Sequence, residues 1–186
     1  LASFEDSVAS ARREGTLDGA LTSAAKRAHE AIRQVGRTEP SLRGMGAQFV
    51  ALLFDFDARE ARVAWNGQCR CYRSREGKTE PMTRDDRTLG CDGPLGGEHD
   101  APLVPFVQTV LGGDPEVIVH EEKLPELCAG DTYLLSTDGL HGLYEDNLHL
   151  ILDGARTLTL PGLALGLMDG VSDDEDDATA LCVRVG

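Results

Sequence analysis

Leu134-Leu135-Ser136-Thr137-Asp138-Gly139-Leu140 is an apolar run that stops abruptly on an aspartate and a glycine. A carboxylate at the mouth of a hydrophobic strand is costly unless a cation or hydrogen-bond donors receive it, and a metal ion is one such receiver. A second run, Asp176-Asp177-Ala178-Thr179-Ala180-Leu181-Cys182-Val183-Arg184-Val185, opens on paired aspartates near the C-terminus. Two carboxylates, each at the lip of its own strand, can meet at one edge of a sheet. Asp138-Gly139 alone also reads as a plain turn after a strand, and Asp173 to Asp177 as a solvated acidic loop.

Working outward, the apolar residues Leu17, Ala20, Leu21, Ala24, Ala28, Ala31, Ile32 and Val35 repeat at helical spacing and predict an amphipathic helix. Phe4, Val8 and Ala11 mark the end of an earlier one. From Gly46 the period changes. Ala47 to Phe56 is a nearly continuous apolar strand, of the kind that sits inside a covered sheet. Ala61 to Trp65, after a short polar turn, completes a hairpin, and Arg70 to Arg73 adds a third strand. The Gly- and Pro-bearing stretch from Asp85 to Pro105 reads as surface loop. Val117 to Val119 and Tyr133 to Leu135 are later strands, Leu148 to Ala155 and Leu160 to Met168 are helices, and Ala178 to Val185 is a final strand. Helices, then antiparallel strands, then helices and one last strand is an α+β order.

The 186 residues are 41% hydrophobic, which suits one core and a single domain over 1–186. With 32 acidic against 18 basic residues the net charge is -14, a field that repels nucleic acid and anionic membrane surfaces. Bound divalent cations can invert that logic locally. Five scattered cysteines without a Cys-x-x-Cys pair read as free thiols in a reducing, cytoplasmic setting. Cys69-x-Cys71 lacks the partner pair that a zinc site needs. No basic stretch followed by an apolar one opens the sequence, and no apolar run approaches ~18 residues, so neither a leader nor a membrane span is expected.

Six segments, in order, resemble the PP2C family of metal-dependent serine/threonine protein phosphatases. They are Leu42-Arg43-Gly44-Met45-Gly46-Ala47, Val63 to Arg70 with Asn66-Gly67-Gln68-Cys69, Met82-Thr83-Arg84-Asp85-Asp86, Leu111-Gly112-Gly113-Asp114-Pro115, Ala129-Gly130-Asp131 through Asp138-Gly139-Leu140, and Asp176-Asp177-Ala178-Thr179. The resemblance implies an α-β-β-α sandwich, two antiparallel sheets flanked by helices, with a binuclear Mg²⁺ or Mn²⁺ centre at one edge. It implies hydrolysis of phosphoserine and phosphothreonine in proteins, opposing a Ser/Thr kinase. Asp138 matches the family's Ser-Asp-Gly metal ligand and Asp176 the aspartate of its Asp-Asn pair. Hard cations require oxygen ligands, which suits aspartates.

Departures from the family pattern are equally specific. Asp177 stands where the family has asparagine. Gln68 and Cys69 replace the aspartate and serine of Gly-Asp-Ser-Arg. The family's opening strands, with a glutamate-aspartate element, a phosphate-binding arginine and an Asp-Gly-x-Gly-Gly segment, have no counterpart, so the implied domain is N-terminally incomplete. These differences raise the alternative of a PP2C-like pseudophosphatase acting as a regulatory or scaffolding module. A third reading is a phosphatase of anti-sigma-factor antagonists. Among the histidines only His141, three residues after Asp138, is placed to approach the site, and a structural or surface role is expected for it.

Overall fold

The computed structural model describes residues 2–14, 17–91, 103–107, 109–113, 115–144, 147–154, 157–171 and 177–186. Helical spacing at the N-terminus becomes α1 (Ala2–Glu14) and α2 (Ala20–Thr38). Gly19 enters α2 in the left-handed region at φ 70°, and the helix buries Ala20, Leu21, Ala24, Ala25 and His29 along one face. Glu121, from a strand far along the chain, accepts hydrogen bonds from the Thr22 backbone N–H (2.8 Å) and hydroxyl (2.7 Å). A carboxylate at the positive end of a helix is favourable, and it fixes where α2 sits on its sheet.

The apolar run forms β1 (Phe49–Asp55), which pairs antiparallel with β2 (Glu60–Asn66) from Phe49↔Asn66 to Asp55↔Glu60. Asp55 closes the turn by accepting from the N–H groups of Asp57 and Ala58, both at 3.1 Å. β3 (Arg70–Arg75) and β4 (Lys78–Pro81) are joined at Glu76-Gly77, where both residues have positive φ (52° and 81°). That is the twist a two-residue hairpin requires. Downstream come β7 (His120–Lys123), β8 (Thr132–Ser136), α3 (Asp138–Tyr144), α4 (Leu148–Gly154), α5 (Leu160–Met168) and β9 (Ala180–Arg184). β5 (Arg87–Cys91) and β6 (Leu103–Val107) form a separate two-stranded ribbon.

Two sheets carry the architecture, ordered β1-β2-β7 and β4-β3-β8-β9, with every pair antiparallel. Between them lie Val63, Trp65, Cys71, Leu127, Tyr133 and Leu135. The outer face of β3 and β8 packs Tyr72 and Leu134 against Leu140, Leu148, Leu163 and Leu167 of α3, α4 and α5. With α2 on the first sheet, the layers are helix, sheet, sheet, helix, as the sequence leads one to expect.

Two expectations are corrected. Residues 85–105 contain strands rather than loop alone, because main-chain pairing in a two-stranded ribbon accommodates the glycine and proline that read as loop; Pro105 is tolerated opposite Leu89 because an edge strand can spare an N–H. Val117 to Val119 is not a strand. Its Ile118 is held by side chains instead: the N–H donates to Thr109 Oγ1 (3.0 Å) and the carbonyl accepts from Asn66 Nδ2 (2.9 Å). The ladder with β2 begins only at His120, opposite Trp65.

β1 and β9 are both edge strands among the described residues. Between them runs an apolar groove of about 720 Å³, lined by Val50, Leu52, Phe54, Leu135, Leu181 and Val183 with α1 and α2 nearby. All seven residues of β1 are therefore only half-buried.

Candidate metal centre

β8 is buried along its whole length and delivers the chain to Thr137 and Asp138. Its last residue, Ser136, pairs with Arg70 at the start of β3 and with Ala180 at the start of β9. The mouth of β8 is thus flanked by the lead-ins of both neighbours. Asp138 opens α3, is half-buried, and accepts the Gly139 N–H at 3.2 Å. A helix directly after the strand is not foreseen by the sequence reading, where Asp138-Gly139 is a strand end. The Thr137 carbonyl starts it, accepting from the N–H groups of Leu140 (3.1 Å) and His141 (3.2 Å).

The second run approaches the same place. Thr137 Oγ1 donates to the Asp177 carbonyl (3.2 Å) and accepts the Thr179 N–H (2.9 Å), and the Thr137 N–H donates to the Thr179 carbonyl (3.3 Å). Asp177 itself is exposed. Asp176 lies outside the described residues, as does Asp114. The structure brings the lead-in to β9 beside Asp138, the juxtaposition expected of the two strands.

On the other flank, Cys69 is buried, and burial with the Asp138 charge pushes its thiol up to about 11. A protonated thiol is no ligand for a hard cation. Arg70 donates to both oxygens of Asp85 (2.7 and 2.9 Å) and to Tyr72 Oη (3.1 Å). The Asp85 bonds raise its affinity for its proton despite burial. The backbone N–H of Gln68 donates to Gln48 Oε1. Gly67 is favoured here, since its φ is 78° and a Cβ would crowd the Gln48 side chain. His141 turns inward, 97% buried, with Nδ1 3.2 Å from Ser136 Oγ. It locks α3 onto β8, the structural one of the two roles expected for it.

As for holding metal, Asp138 offers a half-buried carboxylate at the open end of a sheet. Among the described residues no group of three or more His, Cys, Asp or Glu gathers in one place. This donor set fits one largely hydrated divalent cation and does not by itself fit a closed binuclear centre. Thr137 is the residue that sequence reading overlooked. A hydroxyl residue one step beyond a strand can bond main chain on either side, but nothing local in the sequence names its partners.

No protein-family model matches the chain. Serine/threonine protein phosphatase PstP of Mycobacterium tuberculosis is 31% identical over 134 residues, covering 68% of this chain and 25% of PstP. Among solved structures, PppA, described as a key regulatory component of T6SS in Pseudomonas aeruginosa, superposes with a TM-score of 0.68 at 23% identity, covering 98% of this chain and 77% of PppA. The catalytic domain of PstP in complex with two manganese ions gives 0.67 at 22% identity, over 100% of this chain and 80% of that one. These superpositions establish the fold. Together with the PstP likeness they make the chain similar in fold and in sequence to serine/threonine protein phosphatases. It spans about a quarter of the length of the curated relatives it matches.

Proposed function

We propose that this chain acts as one domain over 1–186 in metal-dependent hydrolysis of phosphoserine and phosphothreonine in proteins, opposing a Ser/Thr kinase in cytoplasmic signalling. The observation that carries it is the placement of Asp138: a carboxylate at the end of a fully buried strand, beside the lead-in to β9 that bears Asp177. PstP supports the chemistry, since its catalytic domain was solved with two manganese ions. In this chain Asp138 would hold Mg²⁺ or Mn²⁺, with Asp176 as its proposed partner. Such an ion supplies Lewis-acid polarisation of a phosphoryl oxygen and acidifies a bound water. The chain's own residues hold and shape the place: Thr137 and the Ser136–His141 pair fix the turn, and the buried Cys69 thiol adds no charge. Free thiols at Cys69, Cys71, Cys128 and Cys182 suit a reducing compartment. No helix among the described residues is long and apolar enough to cross a membrane.

Hydrolysis of a phosphothreonine peptide in Mn²⁺, abolished by Asp138→Asn, is the expected result. An inactive protein in which Asp138→Asn also leaves Mn²⁺ binding unchanged sinks the reading. A second reading, a PP2C-like module without catalysis, is favoured by Gln68, by Asp177 and by the lack, among the described residues, of a group of three or more His, Cys, Asp or Glu. Calorimetric titration separates the two, because two Mn²⁺ sites of useful affinity count against the silent module.

A further inference from the structure

The geometry points to Thr137 as a positioning residue that ties the Asp138 turn to the β9 lead-in and so sets the spacing between the two aspartate-bearing segments. This rests on the metal reading above. The last ladder pair is Ser136↔Ala180, so the tie lies one step beyond regular pairing. There the main chain contributes one weak bond, from the Thr137 N–H to the Thr179 carbonyl at 3.3 Å, and the side chain contributes two, to the Asp177 carbonyl (3.2 Å) and from the Thr179 N–H (2.9 Å). The same residue's carbonyl caps the first turn of α3 through Leu140 and His141. One hydroxyl therefore acts as donor and acceptor across the gap while its own main chain starts the helix that carries Asp138. A valine keeps the shape and loses both side-chain bonds, whereas serine keeps them. Because Thr137 is half-exposed, water can replace the lost bonds, and stability changes little while geometry relaxes.

The test uses the full chain with Thr137→Val and Thr137→Ser, titrated with Mn²⁺ by calorimetry and followed by amide hydrogen exchange at Thr179. Outer-shell substitutions of this kind weaken metal binding by about 10-fold or more. The expected result is that loss in Thr137→Val, with faster exchange at Thr179, Tm within about 4 °C of wild type, and recovery of both readouts in Thr137→Ser. Wild-type Mn²⁺ affinity in Thr137→Val, or no recovery in Thr137→Ser, overturns the assignment. If wild type takes up no Mn²⁺, the metal reading falls separately, and exchange decides the tie: unchanged Thr179 protection in Thr137→Val refutes it, and loss rescued by serine sustains it.

Discussion

Replacing Arg75 with methionine isolates the ion pair that anchors the far end of β3 to the start of β8. Asp131 has a fully buried side chain, and each of its oxygens accepts from Arg75 at 2.6 Å, with the Cys128 N–H adding a third bond at 3.0 Å. Burial opposes ionisation of this carboxyl, yet the Arg75 bonds, the Cys128 N–H and the nearby Arg73 charge hold it below the usual carboxylate range. Removing one partner of a buried pair costs about 3–5 kcal/mol. Arg75 is 29% exposed, so water reaches the vacated space and the low end, about 3 kcal/mol, is expected. For a chain of this size that corresponds to a Tm drop of about 6–12 °C. A depressed carboxyl contributes stability that is present above its unfolded pKa, about 3.9, and is lost as pH falls through its folded value. Urea denaturation should therefore show the full gap between wild type and Arg75→Met at pH 7 and a narrowing gap on acidification. Arg75→Met with Asp131→Asn, which leaves no buried charge, should recover much of the loss. A cost under about 1 kcal/mol at pH 7, or a gap that persists in acid, refutes this account of the pair.

Burial pushes the Cys71 thiol up to about 12 and, with Asp138, that of Cys69 to about 11, while Cys128 is only half-buried. In the native protein at pH 8, a thiol-reactive dye should lose a fast phase with Cys128→Ser and keep it with Cys69→Ser or Cys71→Ser; the reverse pattern contradicts the burial argument. Leu134 is fully buried between β8 and the helices, so Leu134→Ala should cost about 3 kcal/mol in urea denaturation, and a cost near zero means that layer is not packed as described. The groove between β1 and β9 should bind an anilinonaphthalene dye under native conditions, with weaker fluorescence in Leu181→Lys, whose wild-type side chain is 54% exposed. An equal signal from both proteins counts against dye binding there.

How much of this was legible in the sequence depended on whether the controlling interaction was local. Period-3.6 spacing revealed α2, and a continuous apolar run revealed β1, because both signals report the surface a segment buries. β7 was illegible because His120-Glu121-Glu122-Lys123 carries no apolar pattern: it is an edge strand defined by its register on β2, with Glu121 committed to α2. The β5–β6 ribbon escaped because the glycines and prolines around it read as loop, although β6 itself is apolar. Asp138 was legible because a charge ending an apolar run conflicts with its surroundings, and Thr137 was missed because its partners lie 40 and 42 residues away.

Register also explains why the departures at Gln68 and Cys69 bear on Asp138. The β3–β8 ladder ends at Arg70 opposite Ser136, so Gln68 and Cys69 on one side and Thr137 and Asp138 on the other lie just beyond regular pairing. The electrostatic influence of Asp138 on the Cys69 thiol is consistent with that adjacency. Both positions are uncharged here, an amide and a protonated thiol, and the nearest cation on β3, Arg70, is already bound to Asp85. Gln68 and Cys69 therefore add no negative charge to that of Asp138 on this side of the mouth. A cation held by one carboxylate keeps most of its water and exchanges readily. On the proposed metal reading, affinity at this mouth depends on how firmly Asp138 is aimed, a property of the Thr137 tie and the Ser136–His141 lock, as well as on its proposed partner Asp176.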